Sequence, residues 1–92
     1  MIEKKESDAR VVVYTTDWCG YCHRAKGLLE SRGIAYEEVH VPRTREGRTR
    51  LAEVAPRART FPQIVIDGEP IGGYRELLDL SRAGRLDGLD RS

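Results

Sequence analysis

Two rhythms of apolar and polar positions run along the chain. Val11, Val12, Val13 and Tyr14 form a continuous β-branched and aromatic run, which suits a central strand covered on both faces. From residue 22 to residue 29 the apolar Cys22, Ala25, Leu28 and Leu29 recur at spacings of three and four, and Gly33 supplies a stop, the pattern of an amphipathic helix. Residues 35–41 have strand character and end at Pro42, while residues 45–55 read as a second, more polar helix ended by Pro56. Residues 63–66 predict a third strand, Asp67-Gly68 a tight hairpin turn, and residues 69–71 a fourth, short strand confined to a sheet edge by Pro70. Gly72-Gly73 breaks the chain before a last helix over residues 74–83, with Leu77, Leu78 and Ser81 on one face and Gly84 as its stop. The order is βαβαββα. Helices between strands call for parallel neighbours and the hairpin for an antiparallel one, so the expectation is an α/β fold with a mixed sheet and helices on both faces.

Length and charge narrow the function classes. Ninety-two residues suit one small core. Sixteen basic residues against fifteen acidic ones, a net charge of +1, argue against a nucleic-acid binder. No run approaches the ~18 apolar residues of a membrane helix, and the polar start MIEKKESDAR has no signal-peptide core, so the expected address is the cytoplasm with no membrane partner. Residues 1–9 are expected to be a flexible tail before a domain at residues 10–92. Charge is uneven beneath the balanced total: residues 42–59 hold Arg43, Arg45, Arg48, Arg50, Arg57 and Arg59 against Glu46 and Glu53, a local +4.

Candidate chemistry centres on Cys19 and Cys22, too close in sequence to staple a scaffold. They follow the first strand and open the first helix, the context of a thioredoxin-like C-x-x-C redox motif. At a helix N-terminus, free backbone N–H groups and the helix dipole favour an anion. A thiol with an ordinary pKa of about 8.5 can there fall to roughly 3.5 to 7.5, so Cys19 is expected to hold a thiolate. Cys22, one turn further in, is expected to be less exposed and to act as the resolving thiol. The string Cys19-Gly20-Tyr21-Cys22-His23 also spells a haem attachment pattern, but the only methionine is Met1 and no translocation signal is present. A zinc set of Cys19, Cys22, His23 and His40 lacks paired histidine spacing, so no metal site is expected. His23 reads as an ordinary first-turn residue and His40 as a strand-surface one.

Three separated segments, 14–26 around Cys19-Gly20-Tyr21-Cys22, 59–68 around Thr60-Phe61-Pro62, and 71–74 around Gly72-Gly73, make the chain resemble the glutaredoxin family of short dithiol bacterial type. The resemblance implies a thioredoxin-like fold with a four-stranded sheet flanked by helices. It implies a cis Phe61-Pro62 bond beside Cys19, with the Phe61 backbone free to pair with an extended thiol peptide by β-augmentation. It further implies glutathione as co-substrate, held by Tyr21, Arg59, Thr60, Phe61, Pro62, Gly73, Tyr74, Arg75 and Glu76. In that reading the N–H groups of Tyr74 and Arg75 face the γ-glutamyl carboxylate, and Arg57 and Arg59 attract the glycyl carboxylate or acidic protein partners.

Departures from the family pattern are local. Thr16 stands where many members carry a lysine, Gly20 where many carry proline, and Arg75 precedes Glu76, which becomes the candidate acid for the γ-glutamyl ammonium. The resemblance implies a monomeric glutathione-dependent thiol–disulfide oxidoreductase with no permanently bound cofactor. Its implied partners are glutathionylated or disulfide-containing proteins and, indirectly, glutathione reductase. Rival readings are a redoxin served by thioredoxin reductase or mycothiol, and a glutathione-ligated [2Fe–2S] carrier, since the Gly-Tyr pair also occurs in such members.

Overall fold

A computed structural model describes residues 10–89; the expected tail at 1–9 and residues 90–92 lie outside the described residues. The elements run β1 (Val11–Thr15), α1 (Gly20–Ser31), β2 (Glu37–His40), α2 (Arg45–Val54), β3 (Gln63–Ile66), β4 (Glu69–Gly72) and α3 (Tyr74–Arg82). Alternation along β1 decides the layers, because successive strand residues point to opposite faces. Val11 and Val13 pack with Ala25 and Leu29 of α1, Ile64 of β3 and Leu77 of α3. Val12 and Tyr14 pack with Val39, Val41, Val65 and Leu51 of α2. Both faces of β1 are therefore buried, as its unbroken apolar run requires. Truncating a buried leucine such as Leu29 to Ala is worth about 2–5 kcal/mol.

The four-stranded sheet has the order β2-β1-β3-β4. β1 pairs with β2 in parallel, as the intervening α1 demands. The expectation of parallel neighbours fails for β3, which is antiparallel to β1 although α2 precedes it. β2 and β3 are not neighbours: the chain leaves one edge and enters on the far side of β1, so α2 closes no parallel crossover. β3 and β4 form the expected hairpin. Asp67 (φ 52°) and Gly68 (φ 83°) are both left-handed, as a two-residue type I′ turn needs. Pro70 lies on the edge strand, where its missing N–H costs no ladder bond, and a register shift at Ile64/Val65 bulges the hairpin.

One packing feature departs from the expected pattern and two more lie outside it. On α3 the inner face is Tyr74, Leu77, Leu80 and Ser81, whereas Leu78 turns toward a surface cleft. Leu86 and Leu89, beyond the last helix, are buried in the α1/α3 core. Gly47, in the first half of α2, is buried against the chain before the helix, and a Cβ there would overlap the Pro42 carbonyl. Gly47→Ala is accordingly expected to lower stability by about 1–3 kcal/mol despite alanine's better helix propensity, read as a lower midpoint in urea denaturation. An unchanged or raised midpoint would show that the helix start yields freely. Among the described residues, no helix is long and apolar enough to cross a membrane.

Candidate active site

The chain leaves β1 through buried Thr16, turns at Asp17 and Trp18, and enters α1 at Cys19. Trp18 is left-handed (φ 55°) and 96% exposed. Cys19 is the extended N-cap of α1 (φ −124°, ψ 100°), and its Sγ accepts the N–H of Cys22 at 3.1 Å. A cap sulfur thus occupies the place usually taken by a Ser or Asp oxygen, where negative charge is favoured. Cys19 and Cys22 are joined as a disulfide with Cα atoms 5.2 Å apart. Cys22 is only 3% exposed, whereas Cys19 is half-buried. The pair is asymmetric in exposure, as expected: Cys19 holds the outer sulfur and Cys22 the buried one.

A cleft of about 1110 Å³ opens beside this helix start and gathers every expected binding residue: Tyr21, Arg59, Thr60, Phe61, Pro62, Gly73, Tyr74, Arg75 and Glu76. Two loops distant in sequence form it by close approach. The Phe61–Pro62 bond is cis and Pro62 is fully buried. Its carbonyl would lie 3.2 Å from a Cβ at Gly73, a tight contact that a side chain there would relieve only by moving the loops a few tenths of an ångström apart. Gln63, itself buried, donates its side-chain N–H to the Thr60 carbonyl at 2.8 Å and fixes the loop before the proline. Tyr21 and Tyr74 stack with centroids 5.9 Å apart, and the Arg24 guanidinium lies 5.6 Å from the Tyr21 ring centre. Tyr21, between the cysteines, is therefore the link from the disulfide to the cleft.

Glu76 has a structural duty that its sequence reading omitted. Its Oε1 accepts the Gly73 N–H at 2.9 Å, capping α3. The Gly-x-x-Glu spacing carried that signal. Of the arginine-rich segment, Arg57 and Arg59 line the cleft, whereas Arg43 donates to the Asp17 carbonyl on the other side of the cysteines.

Cys19 and Cys22 line a second, smaller cleft of about 510 Å³ with Thr16, Trp18, Lys26, Glu38 and His40 among its walls. Lys26 donates to Glu38 Oε2 at 3.1 Å and Thr15 Oγ1 donates to the same oxygen at 2.8 Å. Partial burial pushes the Glu38 carboxyl up, but the Thr15 and Lys26 bonds outweigh it and hold it below its ordinary value of 4.5. A depressed carboxyl contributes stability that is fully present above its unfolded value and lost as pH falls through the folded one. Glu38→Gln is therefore expected to flatten the loss of stability below about pH 4.5. Urea midpoints across the acid range check this, and a variant as acid-sensitive as the parent would contradict it. Thr16 Oγ1 is buried without a hydrogen-bond partner. Among the described residues no three His, Cys, Asp or Glu side chains converge as metal ligands. His40, a strand-surface residue as expected, also contacts Asp17 Oδ1 at 2.8 Å.

A capping cysteine with a buried partner, beside a cis proline that meets a double glycine, is an arrangement to compare with known proteins. The glutaredoxin family model matches residues 11–71. The chain belongs to the glutaredoxin family. Among curated glutaredoxins it is 46% identical over 79 residues to one from Pseudomonas aeruginosa, covering 86% of this chain and 93% of the relative. It is 41% identical over 81 residues to glutaredoxin 3 of Escherichia coli, covering 88% and 96%. Among solved structures, a buckwheat glutaredoxin–glutathione complex superposes with a TM-score of 0.77 at 27% identity, over 92% of this chain and 79% of the other. A Brucella melitensis glutaredoxin gives 0.72 at 40% identity, over 88% and 87%. The fold is thus thioredoxin-like, and the chain is a thiol–disulfide oxidoreductase of glutaredoxin type with Cys19 and Cys22 as its C-x-x-C pair.

Proposed function

We propose that the electron donor is glutathione and that the substrates are protein–glutathione mixed disulfides and protein disulfides. One observation carries this reading: the cleft that adjoins Cys19 through Tyr21 presents both the Phe61 backbone beside Pro62 and the N-terminus of α3. An extended tripeptide pairs with the first like a short strand and places an acidic end at the second. Arg57 and Arg59 supply cations for its other carboxylate. The buckwheat relative solved with glutathione supports the same choice.

In the one-cysteine route the Cys19 thiolate attacks the glutathione sulfur of the mixed disulfide. The protein thiolate leaves and takes up a proton. A second glutathione thiolate then attacks the glutathionyl sulfur on Cys19, releasing the Cys19 thiolate and glutathione disulfide, which glutathione reductase returns to the thiol. In the two-cysteine route Cys19 opens a protein disulfide, Cys22 loses its proton and attacks the Cys19 sulfur, and the client leaves as a dithiol. The Cys19–Cys22 disulfide that results is the pairing described above. Two glutathiones reduce it. We place this cycle in the cytoplasm, in a monomer with no permanent cofactor.

The test is NADPH oxidation coupled to reduction of a glutathionylated peptide. Turnover with glutathione and glutathione reductase, and none with thioredoxin reductase alone, is the expected result. Turnover with thioredoxin reductase and no added thiol would overturn the glutathione reading. A brown, dimeric protein after anaerobic purification would favour a cluster carrier instead.

A further inference from the structure

Asp17 sits two residues before the nucleophile and is held from two directions. His40, at the end of β2, places Nε2 2.8 Å from Asp17 Oδ1. Arg43 donates Nε and Nη2 to the Asp17 carbonyl at 3.2 and 3.1 Å. Two residues upstream, the Val41 N–H donates to the Thr15 carbonyl at 2.7 Å. The chain leaving β2 thus grips the chain leaving β1 three times: at the Thr15 backbone, the Asp17 side chain and the Asp17 backbone.

The next residue shows why such a grip matters. Trp18 adopts a left-handed φ of 55°, a region that bulky L-residues avoid because Cβ crowds the following carbonyl. Its side chain is 96% exposed, so packing does not offset that crowding. Yet Trp18 aims the chain so that Cys19 lands extended at the N-cap with its sulfur on the Cys22 N–H. A posture disfavoured locally and unsupported by burial is held by bonds on its other side, at Asp17.

We propose that His40 and Arg43 are positioning residues for Cys19: by fixing Asp17 they hold the turn at Trp18 that keeps the Cys19 sulfur on the start of α1. His40 shares the smaller cleft with the cysteines, but the bonds that both residues make are to Asp17, and both act through the loop. Without them the loop samples turns that take the sulfur off the cap, and the thiolate loses its stabilising N–H. The proposal rests on Cys19 being the nucleophile and is independent of which small thiol later clears it.

Alkylation by iodoacetamide as a function of pH tests it, in a Cys22→Ser background so that only one thiol is read. The double variant His40→Ala/Arg43→Ala is expected to shift the midpoint of the rate profile upward by about half a unit to one unit, which slows alkylation below the midpoint about threefold to tenfold. The plateau at high pH, where every thiol is ionised, stays unchanged. Arg43→Lys, which keeps a donor for the Asp17 carbonyl, moves the midpoint less than Arg43→Ala. Circular dichroism checks the fold. Where alanine loosens it, His40→Gln and Arg43→Met, which keep the side-chain bulk, are measured in its place. An unchanged midpoint in the folded double variant, or a lowered plateau with an unmoved midpoint, overturns the proposal. Because the assay contains no glutathione, its failure and the failure of the glutathione reading are separate results.

Discussion

Cys19→Ser is expected to lower both deglutathionylation and protein-disulfide reduction by about 10³-fold or more, to the background of the uncatalysed exchange. A thiolate is the attacking species in this chemistry, and a serine hydroxyl stays protonated at neutral pH even at a helix N-cap. Serine is itself a good N-cap residue, so the variant keeps the fold of α1 while losing the nucleophile. That makes the loss interpretable: circular dichroism unchanged, coupled NADPH oxidation gone. Residual activity above one tenth of the parent would show that buried Cys22 can attack unaided, which its 3% exposure argues against.

Cys22→Ser is expected to separate the two routes. Removal of glutathione from a mixed disulfide needs only Cys19 and a second glutathione, so it is retained to within about one order of magnitude. Reduction of a protein disulfide stalls at the mixed disulfide with the client, because no second sulfur resolves it. The expected readout is a covalent client adduct that accumulates on Cys19 and that reductant releases. Loss of both activities in a folded Cys22→Ser protein would mean that the outer and inner roles are misassigned.

How much of this was visible in the sequence depends on whether the signal is local. β1 was visible because four consecutive β-branched and aromatic residues fit only a strand covered on both sides, and the turn at Asp67-Gly68 because both residues tolerate left-handed backbone. The cysteine pair was visible through its position between a strand and a helix. The direction of β3 was not, because α2 connects two strands that never pair, and nothing local records that. Leu86 and Leu89 lie in a glycine-punctuated segment without helical period, so their burial follows only from where the chain folds back. Nothing local marks Gly47; the Pro42 carbonyl that excludes a side chain there is a tertiary fact.

The residues that line the cleft were legible through resemblance rather than chemistry. A double glycine alone marks a turn, and Thr60-Phe61-Pro62 alone marks a strand start. Proximity unites them: the Pro62 carbonyl faces Gly73, and Tyr21 stacks on Tyr74. His40 shows the converse. As a lone histidine on a short strand it carried no signal, and its contact with Asp17 spans 23 positions of sequence. Contacts of that range depend on the sheet bringing β1 and β2 into parallel register, with Thr15 opposite His40.

The measurement that bears most directly on the glutathione account is transfer of one glutathionyl group from glutathione disulfide to the protein. Cys22→Ser and Cys19→Ser are each mixed with glutathione disulfide, quenched with acid and weighed by mass spectrometry. The expected result is rapid formation of a single glutathionyl adduct on Cys22→Ser, cleared by added glutathione, with Cys19→Ser unlabelled on the same timescale. Adduct formation on Cys19→Ser at the faster rate, or on neither variant, would contradict the account.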